Sequence, residues 1–218
     1  MNEISEQRVR ASVLWPSAAK CRLYLCAYGL LSLLFALVYG GANYFAAIRG
    51  QTLHYYFDWE REIPFVPQMI YAYLSISIVF WLPLFFIDIR KIRRFAWMFA
   101  LSIVVAGTFF MLVPAKTGFA STPDVRALGE PEGWLFSFLY QLDQPYNTLP
   151  SLHIALSTLT ILAVKESVAS RWLVAMLLVW LMTIMLSVVF VHQHHLADVV
   201  SGALLGWACF RIYAAKVF

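Results

Sequence analysis

Charged residues are scarce in this sequence. Only 13% of its 218 residues are Asp, Glu, Lys or Arg, whereas 61% are hydrophobic and the mean hydropathy is +0.72. A soluble domain carries roughly 25% charged residues, so this composition excludes an ordinary water-soluble globular protein. Since a helical span needs about 20 apolar residues, the chain has room for roughly six spans and no separate soluble domain. We therefore expect residues 1–218 to form a single integral membrane domain.

Cysteine is also rare, and its pattern carries no recognisable chemistry. The three cysteines, Cys21, Cys26 and Cys209, are odd in number and lie in or beside apolar runs. This spacing fits neither a disulfide framework nor a zinc knuckle. The net charge of +4 comes from basic residues scattered at the ends of apolar segments, not from one cluster. That distribution favours membrane orientation and argues against nucleic-acid binding.

Apolar segments long enough, or nearly long enough, to cross a bilayer recur along the chain. They lie at residues 23–47, 69–87, 95–114, 151–164, 172–192 and 196–215. This pattern predicts an all-α fold, a polytopic membrane bundle of about six transmembrane helices. Neither an internal repeat nor a Gly/Ser- or Pro-rich linker interrupts the segments, which favours one packed unit. Four glycines are expected to permit close helix contacts: Gly40, Gly41, Gly202 and Gly206.

Arginine and lysine are unevenly divided between the two sides that six spans would define. Twelve of the 16 basic residues fall on the side of the termini: Arg8, Arg10, Lys20, Arg22, Arg90, Lys91, Arg93, Arg94, Lys165, Arg171, Arg211 and Lys216. Because cytoplasmic flanks carry the excess of positive charge, the termini are predicted to be cytoplasmic. Loops 48–68, 115–150 and 192–195 are then extracytoplasmic. The compact chain favours a bacterial inner membrane with these loops in the periplasm; a eukaryotic membrane with the loops in a lumen is the alternative.

Histidines gather in two of the predicted extracytoplasmic sequences. Residues 150–153, Pro-Ser-Leu-His, open the fourth apolar segment, and residues 192–198, His-Gln-His-His-Leu-Ala-Asp, open the sixth. His194 and Asp198 are four residues apart; if the helix begins by about residue 194, they share a face and the carboxylate can orient the imidazole. A histidine held in this way can attack phosphorus. His153 can then act first as general acid and later as general base.

Two further groups are suited to hold a phosphate. Ser151 follows Pro150 at a predicted helix start, where unpaired backbone N–H groups and the positive end of the helix dipole favour an anion. Lys116, just after the third segment, adds a full positive charge that would stabilise transition-state oxygens. Together with the histidines, these groups predict a phosphoryl-transfer site.

Over roughly residues 95–210 these motifs resemble the type 2 phosphatidic acid phosphatase superfamily. Ser187, His194 and Asp198 fall at the spacing of its third motif, and the resemblance makes His194 the nucleophile and Asp198 its orienting partner. Two family arginines are missing: position 188 is valine, and no Arg-Pro follows Lys116. Arg126 is the candidate substitute for the second of these arginines. The departures keep open a catalytically lapsed relative.

The second motif indicates a branch within that superfamily. Leu152 replaces the usual glycine, and the pair His194-His195 precedes Leu-Ala-Asp; both features resemble the inositol phosphorylceramide synthase-like enzymes. The resemblance implies a lipid-phosphate phosphatase acting through a phosphohistidine at the extracytoplasmic face, without a metal or other cofactor. Transfer of a phospho-headgroup from a phospholipid to another alcohol is the alternative. The expected partners are the lipid substrate and the bilayer.

Two other functions compete with phosphoryl transfer. The histidines and aspartate of residues 192–198 are suitable zinc ligands, but a zinc site would leave Pro-Ser-Leu-His and Lys116 unexplained. A transporter would carry ionisable groups deep in its spans, whereas these are apolar apart from Arg211 near one end. His192 and His195 match no motif position, and the sequence leaves open whether one of them supports the site by hydrogen bonding.

Overall fold

The protein folds as a bundle of helices. The computed structural model describes residues 15–49, 53, 55–119, 124–125, 127–142 and 146–215. Within these ranges the α-helices are α1 (Ala18–Arg49), α2 (Met69–Leu74), α3 (Ile76–Val79), α4 (Leu82–Phe86), α5 (Ile89–Leu112), α6 (Glu132–Leu142), α7 (Leu152–Ser167), α8 (Arg171–Phe190) and α9 (Leu196–Ala214). A 3-10 helix covers Asp58–Glu62. The prediction of an all-α fold is confirmed.

Four of these helices, α1, α5, α8 and α9, are long and apolar enough to cross a membrane. The predicted segment 69–87 is instead divided among α2, α3 and α4, and the segment from residue 151 forms α7, which has 16 residues. Several apolar helices fit an integral membrane protein. The total of six spans stays a prediction.

Local chemistry explains the division of the second segment. The Ser75 hydroxyl donates to the Ala72 carbonyl at 2.6 Å, a back-bond that bends helices. It also accepts from the Trp180 indole at 2.8 Å, which ties this break between α2 and α3 to α8. Pro83 lies in the first turn of α4, where a residue without an N–H is tolerated but cannot extend a preceding helix. The segment therefore forms three short helices instead of one continuous helix.

The closest helix contact in the core joins α7 and α9. A methyl group added to Gly202 would overlap the Ser151 carbonyl oxygen, and one added to Gly206 would overlap that of Ala155. Glycines four residues apart lie on one helix face and let two backbones approach. The Ser151 N–H also donates to the Asp198 carbonyl at 3.1 Å. The starts of α7 and α9 are thus held side by side.

Gly40 and Gly41 of α1 behave differently. No described residue lies within 4 Å of a methyl group added to either glycine. The expectation of close packing is therefore right for the pair on α9 and wrong for the pair on α1, because Gly40 and Gly41 lie on an exposed face of their helix.

The connecting segments meet at one end of the bundle. The Leu53 N–H donates to the Pro114 carbonyl at 2.9 Å, and the Val66 N–H donates to the Phe190 carbonyl at 3.0 Å. The 3-10 helix and α6 lie within stretches that the sequence analysis treated as loops. Both histidine sequences are at this end, so the connections surround the helix starts that carry them.

We predict that Gly206→Ala lowers the free energy of unfolding by about 1–3 kcal/mol, because the added methyl group overpacks the contact between α7 and α9. Thermal unfolding in detergent, followed through the eight tryptophans, measures the effect. Gly41→Ala is the matched control and should unfold at the wild-type temperature or slightly above it. Equal loss of stability in both variants would contradict the importance of this contact.

Candidate active site

His194 and Asp198 form a buried pair at the start of α9. The His194 Nδ1 atom lies 3.3 Å from Asp198 Oδ2, and the two residues are 4% and 0% exposed. The same oxygen accepts the His195 N–H at 2.9 Å, so the carboxylate both caps the helix and orients the imidazole. With Asp198 ionised, the shared proton lies on Nδ1, which leaves the lone pair of His194 on Nε2.

The turn before α9 holds His194 in place. The Val188 carbonyl at the end of α8 accepts two N–H groups, those of Gln193 and His194, each at 3.0 Å. His192, the residue before Gln193, has a φ of 59°, the left-handed conformation that usually ends a helix at glycine. Its ring donates to the Ile63 carbonyl at 2.9 Å, which stabilises this unfavourable backbone conformation.

His153, in the first turn of α7, faces this pair. The His153 and His194 rings have centroids 5.9 Å apart and planes inclined at 64°. His153 Nε2 also lies 3.4 Å from the Tyr73 hydroxyl of α2. Because α7 and α9 start side by side, two histidines 41 positions apart in the chain lie next to each other.

The predicted phosphate-binding residues have different surroundings. The buried Ser151 hydroxyl accepts the Ile154 N–H at 3.4 Å and caps α7. The exposed Lys116 side chain extends over the Tyr146 ring, with Nζ 5.8 Å from the ring centroid. Arg126 is outside the described residues, as is His54. Phosphate binding by these groups stays a prediction.

Two positions of the third sequence motif are structural. The Ser187 hydroxyl donates to the Ile184 carbonyl at 2.8 Å within α8. Val188, where the family has an arginine, is fully buried in the apolar core. An apolar residue therefore suits this position, and its backbone carbonyl, not its side chain, contacts the site.

A second carboxylate–histidine pair, which the sequence analysis did not identify, lies beside the first. His195 Nδ1 is 3.2 Å from Glu60 Oε2, and both side chains are buried. His195 Nε2 accepts the Gly118 N–H at 2.9 Å. Glu60 is one of three acidic residues in a short 3-10 helix, and nothing in their spacing distinguishes it from Asp58 and Glu62.

Aromatic rings enclose His195 on both faces. The Phe119 and Tyr56 rings each stack on it with centroid distances of 4.3 Å. Phe119 also stacks on His192 at 4.1 Å, so that four rings follow one another. This stack covers the side of the site formed by the segment after Lys116.

Burial changes the protonation of the neighbouring residues. It lowers the pKa of His192 and that of His195, although the Glu60 carboxylate partly opposes the change at His195. It raises the pKa of the Tyr55 phenol, and the negative charge of Asp198 adds to this effect. Both histidines are therefore neutral at neutral pH, which suits their hydrogen bonds as single N–H donors.

An apolar cavity of about 480 Å³ opens beside His153. It lies between α1, α3, α5 and α7, and its lining includes Phe35, Phe80, Phe99 and Leu156. Since His153 is in its wall, the same imidazole faces the buried His194 on one side and hydrocarbon-lined space on the other.

The zinc hypothesis gains no support from this geometry. Across the described ranges, no group of three His, Cys, Asp or Glu side chains is arranged to hold a metal ion. His192 is bonded to a backbone carbonyl, and both nitrogens of His195 have partners. The residues of the cluster are thus turned toward protein groups and do not converge on one point.

The fold and site together define a helical membrane protein with a histidine–carboxylate pair facing a second histidine. A family model described as the PAP2 superfamily matches residues 50–212, and the chain belongs to this family. The predicted superfamily is confirmed, and membership is consistent with phosphatase or phosphotransferase activity. The match begins nearer the N-terminus than the motif-bearing region 95–210. Comparisons with curated proteins and with solved structures found no match.

We predict that the protein loses stability as the pH falls below about 6.5, the ordinary histidine pKa. The lowered pKa values of His192 and His195 mean that the unfolded chain binds protons more readily than the folded chain. Stability is therefore fully present above the unfolded value and is lost as the pH falls toward the folded values. Unfolding temperatures measured between about pH 8 and pH 5 test this.

The variant His192→Gln measures how much the His192 imidazole contributes to this pH dependence of stability. Glutamine keeps an N–H donor for the Ile63 carbonyl but does not titrate. Its unfolding temperature should therefore fall less steeply with acid than that of the wild type. Equally steep curves would show that the His192 imidazole makes no contribution.

Proposed function

We propose that this protein is a membrane lipid-phosphate phosphatase that works through a phosphohistidine on His194 at the extracytoplasmic face. The observation that carries the proposal is the buried His194–Asp198 pair, at 3.3 Å, facing His153 across a ring-centroid distance of 5.9 Å. A nucleophile, the group that orients it and an acid–base catalyst are the parts that two-step phosphoryl transfer needs.

In the first step, His194 Nε2 attacks phosphorus. The N–P bond forms while the bond from phosphorus to the ester or anhydride oxygen breaks, and protonated His153 gives its proton to that leaving oxygen. Asp198 stabilises the positive charge that develops on the His194 ring, because it accepts the Nδ1–H. Because this carboxylate also accepts the His195 N–H, it is held in place before the reaction starts.

In the second step, a water molecule attacks phosphorus and gives its proton to the now neutral His153. The N–P bond breaks, phosphate leaves, and both histidines return to their starting states. If an alcohol attacks in place of water, the same intermediate yields a new phosphate ester. Lys116, the start of α7 at Ser151, and Arg126 would stabilise the phosphate oxygens in both steps.

The apolar cavity supports a lipid substrate. Its lining offers little to a hydrophilic phosphate ester, whereas burial of hydrocarbon there is favourable by about 25 cal/mol per Å². The cavity reaches His153, so a tail inside it would bring an attached phosphate toward the two histidines. This arrangement fits lipid monophosphates, lipid diphosphates and phospholipids alike.

Headgroup transfer is the second candidate. It is favoured by Leu152 in place of a glycine, as in the inositol phosphorylceramide synthase-like branch. Leu152 is 2% exposed and packs with Ile103 and Phe110 of α5, so its side chain is also part of the hydrophobic core next to the site. We also propose that the protein has six spans, that its termini are cytoplasmic and that it lies in a bacterial inner membrane.

The first test compares wild type with His194→Ala and His153→Ala on mixed micelles of lipid monophosphates, lipid diphosphates and headgroup-labelled phospholipids. We expect His194→Ala to reduce turnover to background and His153→Ala to reduce it by about 10²–10⁴-fold. The ratio of released phosphate to new phosphate ester distinguishes hydrolysis from transfer. Cys26→Ser, at an exposed position of α1, is the control.

Either of two results would refute the proposal that this protein is an enzyme. If no lipid is turned over, or if His194→Ala matches the wild type, a transporter or a catalytically lapsed relative becomes the better hypothesis. Radiolabel retained on wild-type protein and absent from His194→Ala would show the covalent intermediate directly.

Lys116 provides a separate prediction. Lys116→Met should lower kcat by about 10²-fold, because it removes a cation that acts on charge developed in the transition state. Lys91→Met is the matched control, since Lys91 is an exposed cation in the first turn of α5, at the other end of the bundle. Equal kcat in the two variants would remove Lys116 from the site.

A further inference from the structure

Glu60 is a buried carboxylate whose hydrogen bonds join its own segment to the start of α9. Its Oε2 atom accepts from His195 Nδ1 at 3.2 Å and from the Leu196 N–H at 2.8 Å, and its Oε1 atom accepts the Phe57 N–H at 3.0 Å. Glu60 therefore ties the segment between α1 and α2 to the first residues of α9, directly beside His194.

His195 carries this connection onward to a third segment. Because an amide N–H can only donate, the 2.9 Å contact from Gly118 requires a lone pair on His195 Nε2. The ring proton is then on Nδ1, where it is donated to Glu60. The imidazole is thus held in one tautomer and bridges a carboxylate on one side and the backbone after Lys116 on the other.

Packing restricts the same segment further. A methyl group on Gly118 would overlap the Tyr56 ring, so the backbone lies directly against that residue. Phe119 fills the space between His192 and His195. Gly118 and Phe119 are the second and third residues after Lys116, and their fixed positions limit where the lysine side chain can reach.

We propose that Glu60 and His195 are a positioning pair that holds the Lys116 segment in register with the His194–Asp198 pair. Neither residue needs to touch substrate. Glu60 sets the tautomer and orientation of His195, and His195 anchors Gly118, so that the cation and the nucleophile act on the same phosphate. This inference rests on the proposed function for what the positioning serves, while the anchoring of Gly118 can be tested without it.

The experiment measures kcat and KM for Glu60→Gln and His195→Asn, alone and combined with Lys116→Met. We expect each single variant to lower kcat about 10- to 100-fold, because a small misplacement of a catalytic group has an effect of this size. In the Lys116→Met background the further loss should be less than about 3-fold, since the group being positioned is already absent. The same loss in both backgrounds would overturn the proposal and leave the pair as part of the core alone.

A matched variant distinguishes loss of the bond to Gly118 from simple unfolding of the protein. In His195→Gln, the glutamine side-chain oxygen can take the place of Nε2 and accept the Gly118 N–H. The asparagine side chain of His195→Asn is too short to reach this position. We expect the glutamine variant to recover at least about 5-fold in kcat over the asparagine variant at comparable unfolding temperatures. No recovery in folded protein would count against the bond to Gly118.

A readout independent of turnover separates this proposal from the proposed function. Hydrogen exchange of the Gly118 amide should be at least about 10-fold faster in Glu60→Gln than in wild type, whereas exchange in the middle of α8 should be unchanged. If the wild type turns over no lipid but Gly118 exchange responds in this way, the proposed function fails and the anchoring stands. If Gly118 exchange does not change, the positioning pair is wrong whatever the activity.

Discussion

The backbone contact between α7 and α9 is the constraint on which the rest of the site depends. Where the two helices cross, the backbone of α7 leaves no room for a side chain at Gly202 or Gly206. The bond from the Ser151 N–H to the Asp198 carbonyl aligns the helix starts. His153 lies in the first turn of α7, and His194 lies in the short turn before α9 that is bonded to the end of α8, so their separation follows from how these helix ends pack. Sites on rigid elements hold their geometry better than sites on loops.

Around this pair of helices, single groups carry several contacts at once. The Asp198 carboxylate caps α9 and orients His194, the Val188 carbonyl receives two amides of the turn, and His195 bridges Glu60 and Gly118. Buried polar groups are costly unless they are bonded, and networks of this kind become rigid when each member has partners. The result is a site whose buried histidines are held by carboxylates, backbone groups and aromatic rings.

Much of this could be predicted from sequence because it depends on local spacing. The four-residue separation of His194 and Asp198 predicts their contact, although α9 begins at Leu196 and the contact joins the turn to the first turn of the helix. The apolar segments predict helices. Glu60 could not be predicted, since its contact with His195 spans 135 positions and a short acidic stretch between two spans indicates only solvated charge. The break at Ser75 was missed for a related reason: back-bonding to Ala72 and the indole of Trp180 override an apolar pattern that suggests one helix.

The cavity beside His153 determines how a lipid substrate would reach the site. A substrate whose tail remains among α1, α3, α5 and α7 does not leave the hydrocarbon phase during turnover. Its encounter with the protein is then lateral diffusion in two dimensions, and the relevant concentration is its mole fraction among the surrounding lipids. Dilution with inert lipid would slow such a reaction at constant bulk concentration, whereas dilution with buffer would leave its rate per protein unchanged.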